Sequence, residues 1–325
     1  MRIGTPADPS YLGVTPMPNP NRWIRTLAIS IGALVVVSSG AVAVLHRHPG
    51  LVLLVRPGLK SRSPFCSTWQ AVPAVDLEMR DKQSVARFQT EDRLVRREGP
   101  LTLWQTAGGE YWVPSADEGI LPILQSQTAR GIYWTGALDV QPGDVVLDVG
   151  AYVGTYTRHA LERGAKLVIA IEPSPISVEC LRRNLAGEIA AGKVIIYPKG
   201  IWDKEDTLTL FVNPTNTSGN SFLPGGEKSD SIPVTTISKV AAELNLPRVD
   251  FIKADVKGAT ERLLLGGSGV IARDRPRMAF STEELTDDAG SITALAKKIQ
   301  PAYEVSPGPC LLNYGSLYTD VLFFR

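Results

Sequence analysis

The chain has 325 residues, enough for one large domain or two small ones with a sizeable core. Its 34 Lys and Arg against 33 Asp and Glu leave a formal charge of +1, so it carries no global electrostatic footprint for nucleic acid. Cys66, Cys180 and Cys310 lack CxxC spacing, and only His46, His48 and His159 are present, so neither a zinc site nor a histidine-based triad is expected.

In chain order, residues 1–26 form a leader rich in Pro and Asn. LAISIGALVVVSSGAVAVL, residues 27–45, has no charge and is flanked by Arg25 and Arg47. As a helix it would extend about 28 Å, close to the hydrocarbon thickness of a bilayer. One uncleaved transmembrane helix is expected, with a cleaved signal peptide as its rival; the long leader and long apolar run favour the anchor. Arg47, Arg56, Lys60 and Arg62 slightly outweigh Arg2, Arg22 and Arg25, which leans toward a cytoplasmic domain on the C-terminal side. The cysteines leave a Cys66–Cys310 bridge open, with a reducing compartment as the simpler reading. Residues 46–100 read as a juxtamembrane and linker region, with a helix over VDLEMRDKQSVARF and RLVRR (93–97) as a solvated face.

From residue 101 to 325 the pattern tightens into one domain. LTLWQTAGGEYWVP predicts a hairpin with a GG turn, and EGILPILQSQTARGIYW a helix. Then strands and helices alternate: VVLDVGA, GTYTRHALERG, KLVIAIEP, SPISVECLRRNLAGEIAAG, and KVIIYPKGIW as a third strand. TLTLFVN adds a β-segment, and a polar loop covers 213–232. TTISKVAAELNL, VDFIKADV, TERLLLGGSGVIA, RMAFSTEE and DAGSITALAKKIQ continue the alternation, and YEVSP and LYTDVLFF close the chain. This order predicts an α/β fold: a doubly wound, mostly parallel, Rossmann-like sheet with helices on both faces and an antiparallel C-terminal edge pair.

The first βα turn is DVGAYVG, with Asp148, Gly150, Ala151 and Gly154. Gly150 would allow close approach of a ligand, and the following helix start offers N–H groups and a positive dipole end. The spacing is not GxGxxG, and an acid closing the first strand suits an ammonium better than a pyrophosphate. The second strand ends at Glu172, where a carboxylate can accept both hydroxyls of a ribose. A ligand with an amino-acid end and an adenosine end satisfies both, which is S-adenosylmethionine.

DVVLDVGAYVGTYT, IEPSPISVECLRRNL, KGIWD and VDFIKADVKGA together resemble the FkbM family of S-adenosylmethionine-dependent methyltransferases, from about residue 100 to the C-terminus. The resemblance implies the class I methyltransferase fold and methyl transfer to a hydroxyl oxygen. It also implies that Asp148, Gly150 and Gly154 belong to the first cofactor motif and that Glu172 binds ribose. Trp202 and Asp203 would neighbour the adenine, and Gln127 would reach the methionine end.

Asp255, at the end of the fourth strand, is placed as the base that receives a hydroxyl proton. Here the sequence departs from the family pattern: Lys257 and Thr260 stand where acids are usual, Ser238 where an Asp is, and Glu284 where a His is. A lysine so near would weaken Asp255 as a proton acceptor unless Lys257 pairs with Glu284. Lys257 pointing into solvent is an equal reading, and a cationic site would also suit an anionic acceptor. The expected function is O-methylation of a hydroxyl on a glycan, lipid-linked or other small-molecule acceptor, with Asp255, Lys257 and Glu284 at the reacting end and no metal. The alternative is a protein that binds S-adenosylmethionine without turnover, as a sensor or assembly partner. A nicotinamide-dependent dehydrogenase shares the fold but needs another glycine spacing.

Overall fold

The computed structural model describes residues 60–212, 219–222, 224, 227–282, 288–313 and 316–325. The leader, the expected membrane helix over 27–45 and residues 46–59 lie outside these. Among the described residues no helix is long and apolar enough to cross a membrane.

Strand β1 (Lys60–Ser61) precedes a 21-residue helix, α1 (Ala71–Glu91). Three antiparallel strands follow: β2 (Arg93–Glu98), β3 (Leu101–Thr106) and β4 (Gly109–Pro114). The β3–β4 pair is the hairpin that the GG turn announces, with Thr106 opposite Gly109. β2, the RLVRR segment, is exposed along its length, and its charges suit a sheet edge. Helix α2 (Leu121–Arg130) leads into the alternating core: β5 (Val145–Val149), α3 (Thr155–Glu162), β6 (Leu167–Ile171), α4 (Pro175–Asn184), α5 (Ala186–Ala190) and β7 (Val194–Tyr197). Pro175 opens α4 directly after Ser174, where a proline's fixed φ suits the first turn. β8 (Gly200–Ile201), β9 (Asp206–Val212) and β10 (Glu227–Thr235) make a small sheet of their own. The second half runs α6 (Ile237–Glu243), β11 (Phe251–Ala254), α7 (Thr260–Gly266), α8 (Ser268–Asp274), β12 (Arg277–Ser281) and α9 (Asp288–Ile299). β13 (Val305–Pro307), β14 (Cys310–Asn313), β15 (Ser316–Thr319) and β16 (Val321–Phe324) close the chain.

The main sheet has the order β13-β16-β12-β11-β5-β6-β7. β12, β11, β5, β6 and β7 are parallel, while β16 is antiparallel to both β12 and β13, which is the expected edge pair. Side-chain alternation sorts the core onto two faces. Val145, Leu147, Val149, Ile252 and Ala254 pack toward α6, α7, α8 and α9, whereas Val146 and Phe251 face α3 and α4. Fully burying a side chain such as Leu147 or Ile169 contributes about 1.5–3 kcal/mol, so the two layers hold the strand ends in fixed register.

Five boundaries differ from the sequence reading. LYTDVLFF, read as one strand, divides into β15 and β16, which belong to different sheets. KVIIYPKGIW is two strands: Pro198 has no N–H for a ladder, and the chain leaves β7 for β8 in the other sheet. The segment read as a polar loop contains the start of β10, which pairs antiparallel with β9 and parallel with β8. The helices expected over SPISVECLRRNLAGEIAAG and TERLLLGGSGVIA each divide in two, at Leu185 and Gly267. The stretch 60–100 is built into the domain rather than linking to it. Ala71 and Ala74 of α1 pack with Leu317 and the cysteines. Asp81 pairs with Arg130 of α2, and β1 pairs with β15.

Cys66 and Cys310 are joined in a disulfide across 244 residues of sequence, leaving Cys180 buried and free among the three. The bridge that the cysteine positions left open is thus formed.

Candidate active site

β5 is the strand at which the order reverses, with β6 and β7 on one side and β11 and β12 on the other. The carboxyl ends of β5, β6 and β11 open onto a cavity of about 230 Å3, the position at which an open α/β sheet takes its ligands. Of the residues singled out in the sequence, Gln127, Gly150, Ala151, Glu172, Asp255 and Lys257 line it. Asp148, Gly154, Trp202 and Asp203 do not. Glu284 lies outside the described residues.

Asp148 is fully buried, one layer beneath the cavity floor. The parallel register sets Lys253 of β11 beside it, and strand alternation turns both toward α3. Lys253 Nζ stands 3.0 Å from the Asp148 carboxylate and donates to the Gly150 carbonyl at 2.8 Å. Thr157 Oγ1 donates to the same carboxylate at 2.6 Å. The ammonium that this acid suits is thus the protein's own. Trp202 and Asp203 are displaced for a similar reason. The Trp202 ring packs edge-on to Phe222 and beneath Arg262, which is also the ion-pair partner of Asp203 at 2.5 Å.

The turn after β5 is closer-packed than its glycines suggested. Gly150 has φ of 76°, and a Cβ there would come within 2.2 Å of the Asp255 carbonyl oxygen. Its role is close approach of neighbouring backbone as much as of a ligand. Gly154, φ 89°, opens α3 where Leu181 of α4 and Leu185, just past its end, press on it, and a Cβ would meet their methyl ends at 3.1 and 3.0 Å. Gly150→Ala is expected to cost at least about 2 kcal/mol in thermal or urea unfolding, because both the left-handed backbone and Asp255 must give way. Gly154→Ala, which meets only side-chain ends, is expected to cost less. The Gly150 and Ala151 amides both donate to the Ile171 carbonyl, at 3.0 and 3.1 Å, so they are not free for a ligand as the sequence had suggested. What remains is the start of α3, which no side chain caps.

Glu172 stands on the opposite wall. Tyr152 N–H donates to its Oε2 at 3.0 Å and Ser174 N–H to its Oε1 at 2.9 Å, which fixes the carboxylate and leaves each oxygen a further lone pair. Tyr152 reaches that position with φ of 50°, in the left-handed region a non-glycine residue seldom adopts. Burial pushes the Glu172 carboxyl up to about 7, against the lowering pull of those two amides and of Lys253.

At the other end, Asp255 is half-buried, its amide donating to the Val149 carbonyl at 3.0 Å. Lys257 lines the same wall, and its carbonyl accepts Ser221 Oγ at 3.2 Å. The other two departures from the family pattern are not cavity residues. Ser238 Oγ donates to the Gly266 carbonyl at 2.8 Å, tying α6 to α7, and Thr260 is buried at the start of α7.

Residues 148–300 match the model of the methyltransferase FkbM domain. Residues 148–300 are thus an FkbM-type methyltransferase domain. The chain is 27% identical over 190 residues to the 31-O-demethyl-FK506 methyltransferase FkbM of Streptomyces tacrolimicus, an overlap of 49% of this chain and 72% of that protein. Among solved structures, a methyltransferase FkbM from Methylobacillus flagellatus matches with a TM-score of 0.47 and 15% identity, over 81% of this chain and 63% of the other. The chain thus spans a little under two thirds of that relative's length. TYW2 of M. jannaschii, solved in complex with AdoMet, matches with a TM-score of 0.41 and 14% identity, over 71% of this chain and 88% of that one.

The methyltransferase cavity also holds residues that the sequence did not single out. Tyr156 lines it, and its hydroxyl, turned into the protein, has no hydrogen-bond partner among the described residues. Burial, with the nearby Asp148 and Asp139, holds that phenol well above its ordinary pKa, so it is a neutral donor. Ile201, Leu210 and Phe222 supply an apolar wall beyond Glu172. Tyr156 sits in the GTYT helix start and was legible as a cavity residue once α3 was placed. Phe222 was not, because it lies within the stretch 213–232 read as a polar loop. Among the described residues no group of His, Cys, Asp and Glu is gathered to hold a metal.

Proposed function

We propose that this methyltransferase uses S-adenosylmethionine to methylate a hydroxyl oxygen on a small-molecule acceptor. The observation that carries the reading is the placement of Glu172 and Asp255 on facing walls of one cavity at the sheet's reversal point. The residues present fit the cofactor. Glu172 keeps two acceptor positions for a vicinal diol, and Ile201, Leu210 and Phe222 offer an apolar surface for a purine. The uncapped start of α3 offers N–H donors suited to a carboxylate. When bound, the cofactor supplies a methyl group on a sulfonium.

The chain's own residues position and deprotonate. Lys253 anchors the Gly150 carbonyl and so fixes the floor of the site, while Gln127 and Thr128 of α2 close one side. Asp255 holds the acceptor hydroxyl and takes its proton as the oxygen gains the methyl carbon. Lys257 beside it offers a positive charge to the same region; its pairing with Glu284 belongs to this proposal. The relative from Streptomyces tacrolimicus is named for methylation at an oxygen, which supports a hydroxyl acceptor here. Membrane attachment through residues 27–45 belongs to the same reading. A cytoplasmic domain, favoured by the charge bias, has the Cys66–Cys310 bridge against it.

Calorimetric titration of the purified chain with S-adenosylmethionine is expected to show one site. S-adenosylhomocysteine is expected to appear when a hydroxyl-bearing cell extract is added. Binding without any such product would favour the sensor reading, and no heat at millimolar cofactor would remove the cofactor assignment altogether.

A further inference from the structure

A second cavity, of about 400 Å3, lies between α1 and the β14–β15 hairpin. Its wall is apolar: Val85 and Ala86 of α1, Ile123 of α2, Leu311 and Leu312 of β14, and Tyr318 of β15. Ile123 also lines the cavity beside β5, so the two spaces meet at one side chain. A second connection runs through charges. Asp81, on the rim of the second cavity, pairs with Arg130 at 3.4 Å, and Arg130 pairs with Asp320 at 2.9 Å. Burial, opposed by Arg130, holds Asp320 up at about 6, and repulsion from Asp81 and Asp255 adds to it. The second cavity thus adjoins the first at Ile123.

Size and charge narrow the occupant. The first cavity is the one to which the cofactor is assigned. The second is within the ordinary ligand range. Its rim charges are already matched within the protein, Lys82 with Glu78 at 2.7 Å and Asp81 with Arg130, so it offers no uncompensated charge to an ionic group.

We propose that the groove between α1 and the β14–β15 hairpin is the acceptor subsite, and that it takes an uncharged acceptor with an apolar body whose hydroxyl reaches Asp255 past Ile123. This rests on the methyl-transfer reading and adds the substrate class to it. It also gives residues 60–100 a function, since α1 forms one wall.

The test is photolabelling of the full-length protein with 3-azioctanol, a neutral alkanol carrying a diazirine, with adducts mapped by peptide mass spectrometry. Adducts are expected in α1 around Val85 and Ala86 and in β14. Ala86→Trp, which fills the groove from an exposed helix position, is expected to reduce them about fivefold or more, as is Leu312→Asp. 1-Decanol is expected to compete and decanoate not, since only the neutral chain gains from burial without exposing an unmatched charge. Calorimetry on the same samples is expected to give unchanged S-adenosylmethionine affinity in both variants. Loss of cofactor binding in the native protein would count against the methyl-transfer reading, whereas the labelling pattern judges the groove alone. Adducts spread over exposed Trp69, Val95 and Leu265, or adducts indifferent to Ala86→Trp, overturn the proposal. A groove that labels only after residues 1–59 are removed by proteolysis also overturns it, making that segment the occupant.

Discussion

Lys253→Met is expected to lower the unfolding free energy by about 3–5 kcal/mol, because it leaves the Asp148 carboxylate buried without its cation. Asp148 is fully buried and the Lys253 side chain is 4% exposed, so neither charge can turn to water when its partner is removed. Thr157 Oγ1 alone cannot replace an ammonium 3.0 Å away. The double variant Lys253→Met with Asp148→Asn removes both charges and is expected to recover to within about 2 kcal/mol of the native protein. Urea unfolding of the two single variants and the double one measures this directly. A double variant as unstable as either single would show that packing, not charge pairing, dominates there. Cofactor affinity is expected to fall in Lys253→Met as well, since Lys253 Nζ also fixes the Gly150 carbonyl at the cavity floor.

That pair shows how far the sequence could be read. VVLDV and FIKA each place a polar residue in an apolar strand, and the strand order follows from βα alternation and the right-handed crossover rule. What was not legible is the register, which sets Lys253 beside Asp148 rather than one residue along. Without it, the acid looked available to a ligand ammonium. The same limit applies to Trp202: KGIWD was visible, but the split at Pro198 sends the chain into a second sheet, and the ring turns to Phe222 and Arg262. Glu172 was legible because it depends only on a strand end, which local pattern defines well. Residues 60–100 were opaque for another reason. Their order comes from contacts far along the chain, the bond to Cys310 and the pairing of β1 with β15, and no local periodicity encodes those.

Glu172→Ala is expected to weaken S-adenosylmethionine binding by at least about a hundredfold, since hydrogen bonds to a charged acceptor contribute about 1.5–3 kcal/mol each and a diol makes two. The pH dependence separates this role from a structural one. The Glu172 carboxyl is raised from 4.5 to about 7 in the folded protein, chiefly by burial. A raised carboxyl favours folding while protonated. Its contribution is complete below the unfolded value, near 4.5, and is lost as pH rises through about 7. Ligand binding runs the other way. Two hydroxyl donors need the ionised carboxylate, so the proton must leave, and affinity is expected to rise about tenfold between pH 6 and pH 8 from this group alone. Glu172→Gln keeps the shape of the side chain and cannot titrate, so it should remove that part of the slope. Any ionisation of the ligand itself is common to both proteins and cancels in the comparison. Calorimetry at pH 6 in two buffers of different ionisation enthalpy should register close to one more proton released by the native protein than by Glu172→Gln. Equal proton release from both would mean that Glu172 does not receive the ribose. In that case the wall holding Tyr152 and Ser174 is a structural support, whose carboxyl neither gains nor loses a proton when the ligand binds.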